Sequence, residues 1–313
     1  MTASPLVAIL PNPHTLRDAV EAGGGVVVPV SQAEALVWTD PYVPGPLAET
    51  LAGAPQIRWV QLPMAGIEKF AYLMHDGRTW TCGKGVFAEP VAEHAVALLL
   101  AGLRGIGPYA GATTWTEPTP VRLNRPLGYD SLLGARIAVL GGGGITEALL
   151  RLLEPFSVEA TVVRRRPQPM AGAAQVVGPE ILHEALADAD AVVLALALTE
   201  ETRGIIGGPE LKAMTPDAWV VNVARGPHVV TEELVDALRQ GVIGGAALDV
   251  TDPEPLPDGH PLWFMPNCLI TPHVGAGNLA AAVRLLAARV TENVRRFGAG
   301  ETLLGLVEAQ AGY

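Results

Sequence analysis

A run of four consecutive glycines, residues 141–144, is the feature that most constrains how this chain can fold. The apolar segment 137–140 leads directly into it, and a predicted helix over 147–154 follows and ends before Pro155. A strand, a glycine-rich turn and a helix in this order form the phosphate cradle of dinucleotide-binding folds, because N–H groups at the start of the helix point at the phosphates. The segment therefore predicts a dinucleotide site, with a merely flexible turn as the alternative.

The glycines of this turn have separate expected roles. Gly141 permits the tight bend at the end of the strand, and Gly143 lets the backbone approach a pyrophosphate. Thr146 stands where the third glycine of the G-x-G-x-x-G fingerprint usually allows the helix to pack closely on the strand. The match to the fingerprint is therefore incomplete.

Three consecutive arginines, Arg164, Arg165 and Arg166, follow the next predicted strand, 160–163. In the dinucleotide fold an acidic residue at this point, about 20 residues past the glycine turn, binds the ribose 2′-hydroxyl of NAD. Arginine instead pairs with the 2′-phosphate of NADP, and a second arginine can stack on the adenine. The sequence thus predicts NADP(H) as the coenzyme, bound through Arg164 and Arg165, with NAD as a secondary coenzyme. A solvated basic turn is the alternative.

Short apolar runs alternate with helical or loop segments along the whole chain, which predicts an α/β fold with parallel sheets. The predicted strands are 6–10, 26–30, 35–38 and 57–62 in the first hundred residues, then 136–140, 160–163, 191–196, 219–223, 246–250 and 268–270. A long helix is predicted from Pro90 towards Arg104, and a loop without regular structure over 105–128. A last helix is predicted to begin at an Asn278 cap.

Composition narrows the classes of partner. The chain has 313 residues, 49% of them hydrophobic, and a net charge of −11. This length suffices for two domains of roughly 150 residues, each with its own core. A nucleic-acid surface needs clustered Lys and Arg over a broad face, so the acidic balance argues against one.

Neither a membrane span nor a metal site is predicted. The longest apolar stretches, such as 95–103 and 191–198, fall short of the roughly 20 residues that a bilayer requires. No secretory signal is recognisable in the first residues, which leads us to expect a cytoplasmic protein. Cys82 and Cys268 are expected to be buried small side chains rather than a disulfide.

Three polar residues stand at or just after predicted strand ends: Arg225, Glu254 and His273. In an open parallel sheet those ends line the ligand crevice. Reduction of a 2-oxo acid requires a cation for the carboxylate, a proton donor for the carbonyl oxygen and a hydride source. Arg225, His273 and a nicotinamide supply them, while Glu254 would fix the tautomer of the imidazole and stabilise its protonated form. Taken singly, each residue also fits an ordinary loop position.

Together with their surroundings, these residues make the chain resemble the D-isomer-specific 2-hydroxyacid dehydrogenase family, and its glyoxylate/hydroxypyruvate reductase-like members in particular. The resemblance covers most of the chain. The motifs that carry it are the glycine turn, Val91-Ala92-Glu93-His94-Ala95, Asn222-Val223-Ala224-Arg225-Gly226, Gly245-Ala246-Ala247-Leu248-Asp249-Val250 through Pro253-Glu254-Pro255-Leu256, and Thr271-Pro272-His273-Val274-Gly275.

The resemblance implies a role for each position. Arg225 binds and polarises the substrate, Glu254 supports the histidine, and His273 is the acid/base. Backbone N–H groups of Ala65 and Gly66 hold the substrate carboxylate. Besides the residues already named, the expected coenzyme contacts are Gly144, Ile145, Leu196, Thr202, Val223, Ala224 and, at the nicotinamide end, Asp249.

The resemblance also implies two doubly wound parallel-sheet domains with the active site in the cleft between them, and a homodimer. A Rossmann coenzyme domain, residues 101–281, is inserted within a flavodoxin-like substrate domain, residues 1–100 and 282–313. The chain departs from the family pattern at Met64, where a small polar residue is frequent, at Ala197, which replaces a proline, and at Thr146. Glu254 replaces the Gln of the formate dehydrogenase branch and so disfavours formate.

The expected activity is therefore hydride transfer between NADP(H) and a small 2-oxo or D-2-hydroxy acid. Glyoxylate, hydroxypyruvate and larger branched or aromatic analogues all satisfy the same carboxylate clamp, so the acid itself stays open. Two alternatives also stay open: a dehydrogenase of another small anion such as phosphite, and a coenzyme-sensing regulatory protein without catalysis.

Overall fold

The structure, a computed structural model, describes residues 4–110, 112–115, 131–277 and 279–307. The chain forms two compact units, a terminal unit made of residues 1–87 and 277–313 and a central unit made of residues 88–276. Within the described residues no helix has the length and apolar character needed to cross a membrane.

The strands divide between the two units. Those of the terminal unit are β1 (Leu6–Leu10), β2 (Val26–Val27), β3 (Ala35–Trp38), β4 (Trp59–Gln61) and β5 (Thr79–Thr81). Those of the central unit are β6 (Arg136–Leu140), β7 (Glu159–Val163), β8 (Gln175–Val177), β9 (Ala191–Leu194), β10 (Trp219–Asn222), β11 (Gly245–Leu248) and β12 (Cys268–Ile270).

In chain order the helices are α1 (Arg17–Ala22), α2 (Gly45–Ala52), α3 (Ala88–Leu103), α4 (Ile106–Ala110), α5 (Gly144–Leu153), α6 (Leu182–Ala187), α7 (Gly208–Ala213), α8 (Thr231–Gln240) and α9 (Leu279–Ala299). Helices α1, α2 and α9 belong to the terminal unit and the others to the central unit.

The terminal unit contains, within the described residues, a five-stranded parallel sheet in the order β2-β1-β3-β4-β5. Its two faces are covered by separate apolar clusters. Leu286, Val290 and Val294, spaced to share one face of α9, are buried with residues of β1 and β3. The other cluster includes Leu47 and Leu51 of α2. Coverage of both faces explains why the strands are apolar along their length.

The central unit contains, over the same described ranges, a seven-stranded parallel sheet in the order β12-β11-β10-β9-β6-β7-β8. The order reverses between β6 and β9, which is the switch point where doubly wound folds bind ligands. Helix α3 packs on α5 and against β10 and β11. Gly102 makes this approach feasible, because a Cβ there would lie 2.4 Å from the Trp219 ring.

The predicted α/β class, with two parallel-sheet domains, is confirmed. The unit boundaries fall after Phe87 and Ala276, earlier than the predicted 100 and 281. The first difference arises because α3 packs along its length on the central unit. The second places all of α9 in the terminal unit, where it packs on α1.

Several element bounds also differ from the predictions. Helix α5 begins at Gly144 rather than at 147, because Gly143 already serves as its N-cap. Helix α3 begins at Ala88 rather than at Pro90, and α4 lies within the segment predicted to lack regular structure. The short strands β5 and β8 were not predicted. The rest of that segment, residues 111 and 116–128, and the predicted Asn278 cap lie outside the described residues.

Candidate active site

The glycine turn after β6 has the backbone geometry that the sequence predicts. Gly141 has a φ of 110°, and a Cβ at this position would lie 2.3 Å from the carbonyl oxygen of Ala195. A side chain is therefore excluded on both conformational and steric grounds. At Gly143 a Cβ would meet nothing within 4 Å, so the backbone is open to a ligand there. Residues of the turn fit a pyrophosphate at the start of the ten-residue helix α5.

Thr146, the departure from the glycine fingerprint, is accommodated within the turn. Its side chain is fully buried, and its Oγ1 donates a hydrogen bond to the carbonyl oxygen of Gly141 at 2.8 Å. The hydroxyl thus stabilises the bend that a third glycine would leave unsupported. The phosphate cradle is complete without that glycine.

Arg164 lies against the glycine turn. It follows β7 directly, and a Cβ at Gly142 would lie 2.7 Å from Arg164 Cδ and 2.9 Å from its Nε. The arginine side chain therefore crosses over Gly142. Arg164 is half-buried, whereas Arg165 and Arg166 are exposed. Of the three arginines, Arg164 is the one that the fold brings to the cradle.

Four further predicted coenzyme residues follow β9 and β10, the two strands that continue the sheet from β6 on one side, and the fifth, Asp249, follows β11. Leu196 lies close to the turn, since its N atom would be 2.9 Å from a Cβ at Gly141. Thr202 closes the loop after β9 through Oγ1, which accepts a hydrogen bond from Thr199 N and donates one to Ala197 O, both at 2.8 Å. Val223 and Ala224 are buried at the end of β10.

Arg225 is held by a buried polar side chain on the same strand. The fully buried Asn222 donates from Nδ2 to Arg225 O at 2.8 Å and accepts from Ala224 N at 3.0 Å. Arg225 Nη1 donates to Ala224 O at 2.7 Å. The residue after Arg225 must be a glycine, because a Cβ at Gly226 would lie 1.9 Å from Thr251 O.

His273 and Glu254 form a hydrogen-bonded pair. His273 Nδ1 lies 2.7 Å from Glu254 Oε1, and their side chains are 50% and 42% exposed. Burial alone would raise the pKa of Glu254, but the hydrogen bond from His273 and the charges of His273 and Arg225 hold that pKa below its usual value. The carboxylate is therefore ionised near neutral pH, and the charge of Arg225 acts on the same pair.

The backbone of His273 adopts a left-handed conformation, with φ 53°, which is uncommon for a residue other than glycine. Asp249 holds this conformation. Its carbonyl oxygen accepts from His273 N at 2.8 Å, and its carboxylate accepts from Val274 N at 2.8 Å and from Gly275 N at 2.9 Å. The imidazole is thus presented by a loop that wraps around one carboxylate.

Two further side chains complete this arrangement, which we call the Asp249 cluster: Asp249, Thr271, His94 and the N–H groups of Val274 and Gly275. Thr271 Oγ1 donates to Asp249 Oδ1 at 2.6 Å, and His94 Nε2 lies 2.9 Å from Thr271 Oγ1 and 3.2 Å from Asp249 Oδ1. Burial opposes ionisation, but these hydrogen bonds together lower the pKa of Asp249 to about 2. Asp249 is only 3% exposed, and its carboxylate accepts hydrogen bonds from within the protein.

The predicted carboxylate clamp, Ala65 and Gly66, belongs to the terminal unit. Ala65 is exposed and Gly66 half-buried in the loop after β4, while Ile67 beside them is buried. Gly83 N donates to Met64 O at 2.6 Å and ties this loop to the end of β5. The two backbone N–H groups therefore lie in an anchored loop.

Four residues that hold the site together have no role predicted from the sequence: His94, Thr271, Asn222 and His228. The first three occur in the recognised motifs, and His228 lies two residues beyond one of them. The sequence feature that could have indicated these residues is a polar side chain within an apolar helix or at the end of a strand. In the part of the chain that the structure describes, no three His, Cys, Asp or Glu side chains converge as metal ligands.

Comparison with known proteins agrees with this geometry. Residues 96–275 match the family model "D-isomer specific 2-hydroxyacid dehydrogenase, NAD binding domain". A glyoxylate reductase of Thermofilum pendens is 33% identical over 77% of this chain and 73% of its own length. A glyoxylate/hydroxypyruvate reductase A of Photorhabdus laumondii is 28% identical over 89% of this chain and 87% of its own.

Among solved structures, a D-isomer specific 2-hydroxyacid dehydrogenase of Xanthobacter autotrophicus Py2 in complex with NADPH and MES matches 99% of this chain and 100% of its own, with a TM-score of 0.81 and 26% identity. The chain belongs to the D-isomer specific 2-hydroxyacid dehydrogenase family. It is an NAD(P)-dependent oxidoreductase acting on 2-hydroxy or 2-oxo acids, and the predicted family, fold and type of activity are confirmed.

Proposed function

We propose that the protein reduces a small 2-oxo acid to the D-2-hydroxy acid, with NADPH as its preferred coenzyme. The observation that carries this proposal is the 2.7 Å contact between His273 Nδ1 and Glu254 Oε1, on loops that follow the same sheet as the glycine turn. Because Nδ1 donates to the carboxylate, Nε2 is the nitrogen that gives its proton to the substrate carbonyl oxygen.

NADPH held at the glycine turn by Gly141, Gly143 and Gly144 would supply a hydride for C2 of the 2-oxo acid. His273 delivers the proton to the carbonyl oxygen, so that one hydride and one proton convert the carbonyl into a hydroxyl. Glu254 keeps the imidazole in one tautomer and in one orientation. Arg225 binds the carboxylate and stabilises the negative charge that develops on the oxygen. Backbone N–H groups of Ala65 and Gly66 bind the carboxylate as well.

The coenzyme preference is supported by the position of Arg164 over Gly142 and by the exposed Arg165 beside it. A 2′-phosphate at the end of β7 gains a charge-assisted bond to a guanidinium, whereas a free 2′-hydroxyl gains none of comparable strength. The Xanthobacter structure with NADPH is consistent with this assignment. We assign the pyrophosphate to Gly141, Gly143, Gly144 and Ile145, and the nicotinamide half to Leu196, Thr202, Val223, Ala224 and Asp249.

A homodimer is the proposed assembly. Ile106 and Tyr109 of α4 are 50% and 46% exposed, and Trp115, a few residues further on, is 95% exposed. Large apolar side chains clustered in one segment are typical of a protein interface. Size-exclusion chromatography with light scattering tests this, and Tyr109→Glu should favour the monomer. The cytoplasmic location stays a prediction from the sequence.

Turnover of a substrate panel tests the activity. Purified protein is mixed with NADPH or NADH and with glyoxylate, hydroxypyruvate, pyruvate or a larger 2-oxo acid, and coenzyme absorbance is followed. A separate reaction of NADP⁺ with phosphite tests the alternative, dehydrogenation of another small anion. Oxidation of NADPH by at least one 2-oxo acid is expected, and His273→Ala should abolish it. Turnover of phosphite alone, or binding of NADPH without any turnover, would contradict the proposal.

A further inference from the structure

His228 is a fully buried imidazole that the proposed reaction does not use. It ends the short helical turn Gly226–His228 just after Arg225. Its Nδ1 lies 3.2 Å from Arg225 N, and its Nε2 lies 3.3 Å from Ala197 O. One ring therefore contacts the backbone of the substrate-binding arginine and the first residues of the loop after β9.

The contacts with Arg225 N and Ala197 O fit one neutral tautomer of the ring. Arg225 N is a donor, so it needs an unprotonated Nδ1, whereas Ala197 O is an acceptor and needs an N–H at Nε2. Nδ1 also lies 3.0 Å from Arg225 O, but a neutral ring protonated on Nδ1 would turn the lone pair of Nε2 towards Ala197 O, which is itself an acceptor. Neutral imidazole with its proton on Nε2 satisfies both partners at once.

Arg225 and Ala197, the two partners of the ring, lie on the substrate side and the coenzyme side of the proposed complex of protein, NADPH and 2-oxo acid. Arg225 binds the substrate carboxylate, and its main chain must be correctly placed for the guanidinium to reach it. Ala197 accepts from Thr202 Oγ1 as well, within the loop that we assign to the nicotinamide half of the coenzyme. A bond from each ring nitrogen means that a shift of one loop is transmitted to the other.

We propose that His228 is a positioning residue that couples coenzyme binding to substrate binding, by tying the loop after β9 to the backbone of Arg225. The proposal rests on the proposed function for the roles of the two loops. NADPH bound against this loop would fix the position of Ala197, and His228 would then hold Arg225 in the orientation that binds a carboxylate. The acid accordingly binds more tightly to the coenzyme complex than to the free protein.

Two conservative substitutions separate the two bonds. In His228→Asn, the side-chain oxygen replaces Nδ1 as acceptor for Arg225 N, but no donor reaches Ala197. In His228→Gln, the side-chain amide replaces Nε2–H, but the acceptor for Arg225 is lost. Calorimetric titration of oxamate, an unreactive carboxylate analogue of a 2-oxo acid, with and without saturating NADPH, measures the coupling directly.

For wild type we expect NADPH to tighten oxamate binding by at least about fivefold. His228→Asn should keep the oxamate affinity of the free protein within about threefold but lose most of this gain. His228→Gln should weaken oxamate about fivefold or more with or without NADPH. His183→Asn, which removes a surface histidine paired with Glu210 at 2.9 Å, is the matched control and should leave the coupling at the wild-type value.

Wild-type coupling in His228→Asn would overturn the proposal. The proposal would also be overturned if both variants lost NADPH affinity, oxamate affinity and thermal stability to the same extent as each other. Such a parallel loss marks a purely structural role for His228. Histidine ¹⁵N spectra of the wild type give an independent answer: protonation of Nε2 alone supports the proposal, and an Nδ1–H ring contradicts it. These measurements report binding and protonation rather than turnover. A failure of this proposal can therefore be distinguished from a failure of the proposed function, which the substrate panel tests.

Discussion

The ionised carboxylate of Glu254 accepts a charge-assisted hydrogen bond from His273 Nδ1, which is weaker once the carboxylate is protonated. Despite partial burial, that bond and the charges of His273 and Arg225 lower the pKa of Glu254 from 4.5. Wild-type kcat/KM for reduction should therefore hold as the pH falls, and decline only below about pH 4.5, where Glu254 takes up a proton. Glu254→Gln should lower kcat/KM at neutral pH by about tenfold or more, and this acid limb should disappear.

Initial rates measured from about pH 3.5 to 8 check this expectation. Glu232→Gln is the control, because Glu232 is an exposed carboxylate in the first turn of α8 and its replacement should change neither rate nor profile. An acid limb that survives in Glu254→Gln would assign the titration to a different group.

We propose that Arg225 makes a planar, two-point contact with the substrate, which a lysine ammonium cannot reproduce. Arg225→Lys should therefore lower kcat/KM by roughly 100-fold, or about 3 kcal/mol of transition-state stabilisation. The same exchange at Arg239, an exposed residue paired with Asp236 at 3.3 Å, should have no effect on turnover. Steady-state kinetics with the best acid of the panel measure both variants, and a lysine variant within a few-fold of wild type would rule out the two-point role.

The loop that presents His273 owes part of its stability to the ionised carboxylate of Asp249. The pKa of about 2 in the folded protein lies below the ordinary aspartate value of 3.8, so the stabilisation is complete above about pH 4 and is lost as the pH falls from 3.8 through 2. The difference of nearly two pKa units corresponds to about 2 kcal/mol. Asp249→Asn should lower the free energy of unfolding by about this amount at pH 7.

Urea denaturation at several pH values measures that difference, which should shrink as the pH approaches 3 and the wild type loses its advantage. Asp258→Asn, at an exposed position, should stay within about 0.5 kcal/mol of wild type throughout. A difference between wild type and Asp249→Asn that does not depend on pH would mean that hydrogen-bond geometry, rather than charge, stabilises the loop.

We propose that the junction of β7 with the glycine turn sets the preference between NADPH and NADH. A charge-assisted bond contributes about 1.5 to 3 kcal/mol, so kcat/KM should favour NADPH over NADH by roughly 10- to 100-fold. Higher salt should narrow the ratio by screening the phosphate. Arg164→Asp should narrow it further, because one attraction is lost and one repulsion added.

The ratio of kcat/KM for the two coenzymes at fixed ionic strength is the measurement. Arg166→Asp introduces the same change of charge two residues away on an exposed side chain, and it should reduce the ratio far less. A wild-type ratio favouring NADH, or one that Arg164→Asp leaves unchanged, would show that the arginine run is a solvated turn.

Over the whole molecule, local signals in the sequence predicted what depends on local structure. The glycine turn, the apolar strands and the polar residues at strand ends can be recognised within a few residues of one another. Strand β8 has three residues, and none of them is fully buried, so no clear pattern marks it. The bond between His94 and Thr271 joins residues 177 positions apart, and the bonds of His228 depend on the pairing of β9 with β10. Such contacts exist only once the sheet is assembled, which is why the sequence could not predict them.

The two-segment composition of the terminal unit has a consequence for the order of synthesis on the ribosome. The first 87 residues emerge together, but α9, which buries one face of β1 and β3, follows roughly 190 residues later. At about 5 to 20 residues per second, that face waits on the order of 10 to 40 s for its cover. The central unit is continuous in the chain and can fold during this interval. Until α9 has been synthesised, the terminal unit therefore exposes an apolar surface to which a chaperone can bind.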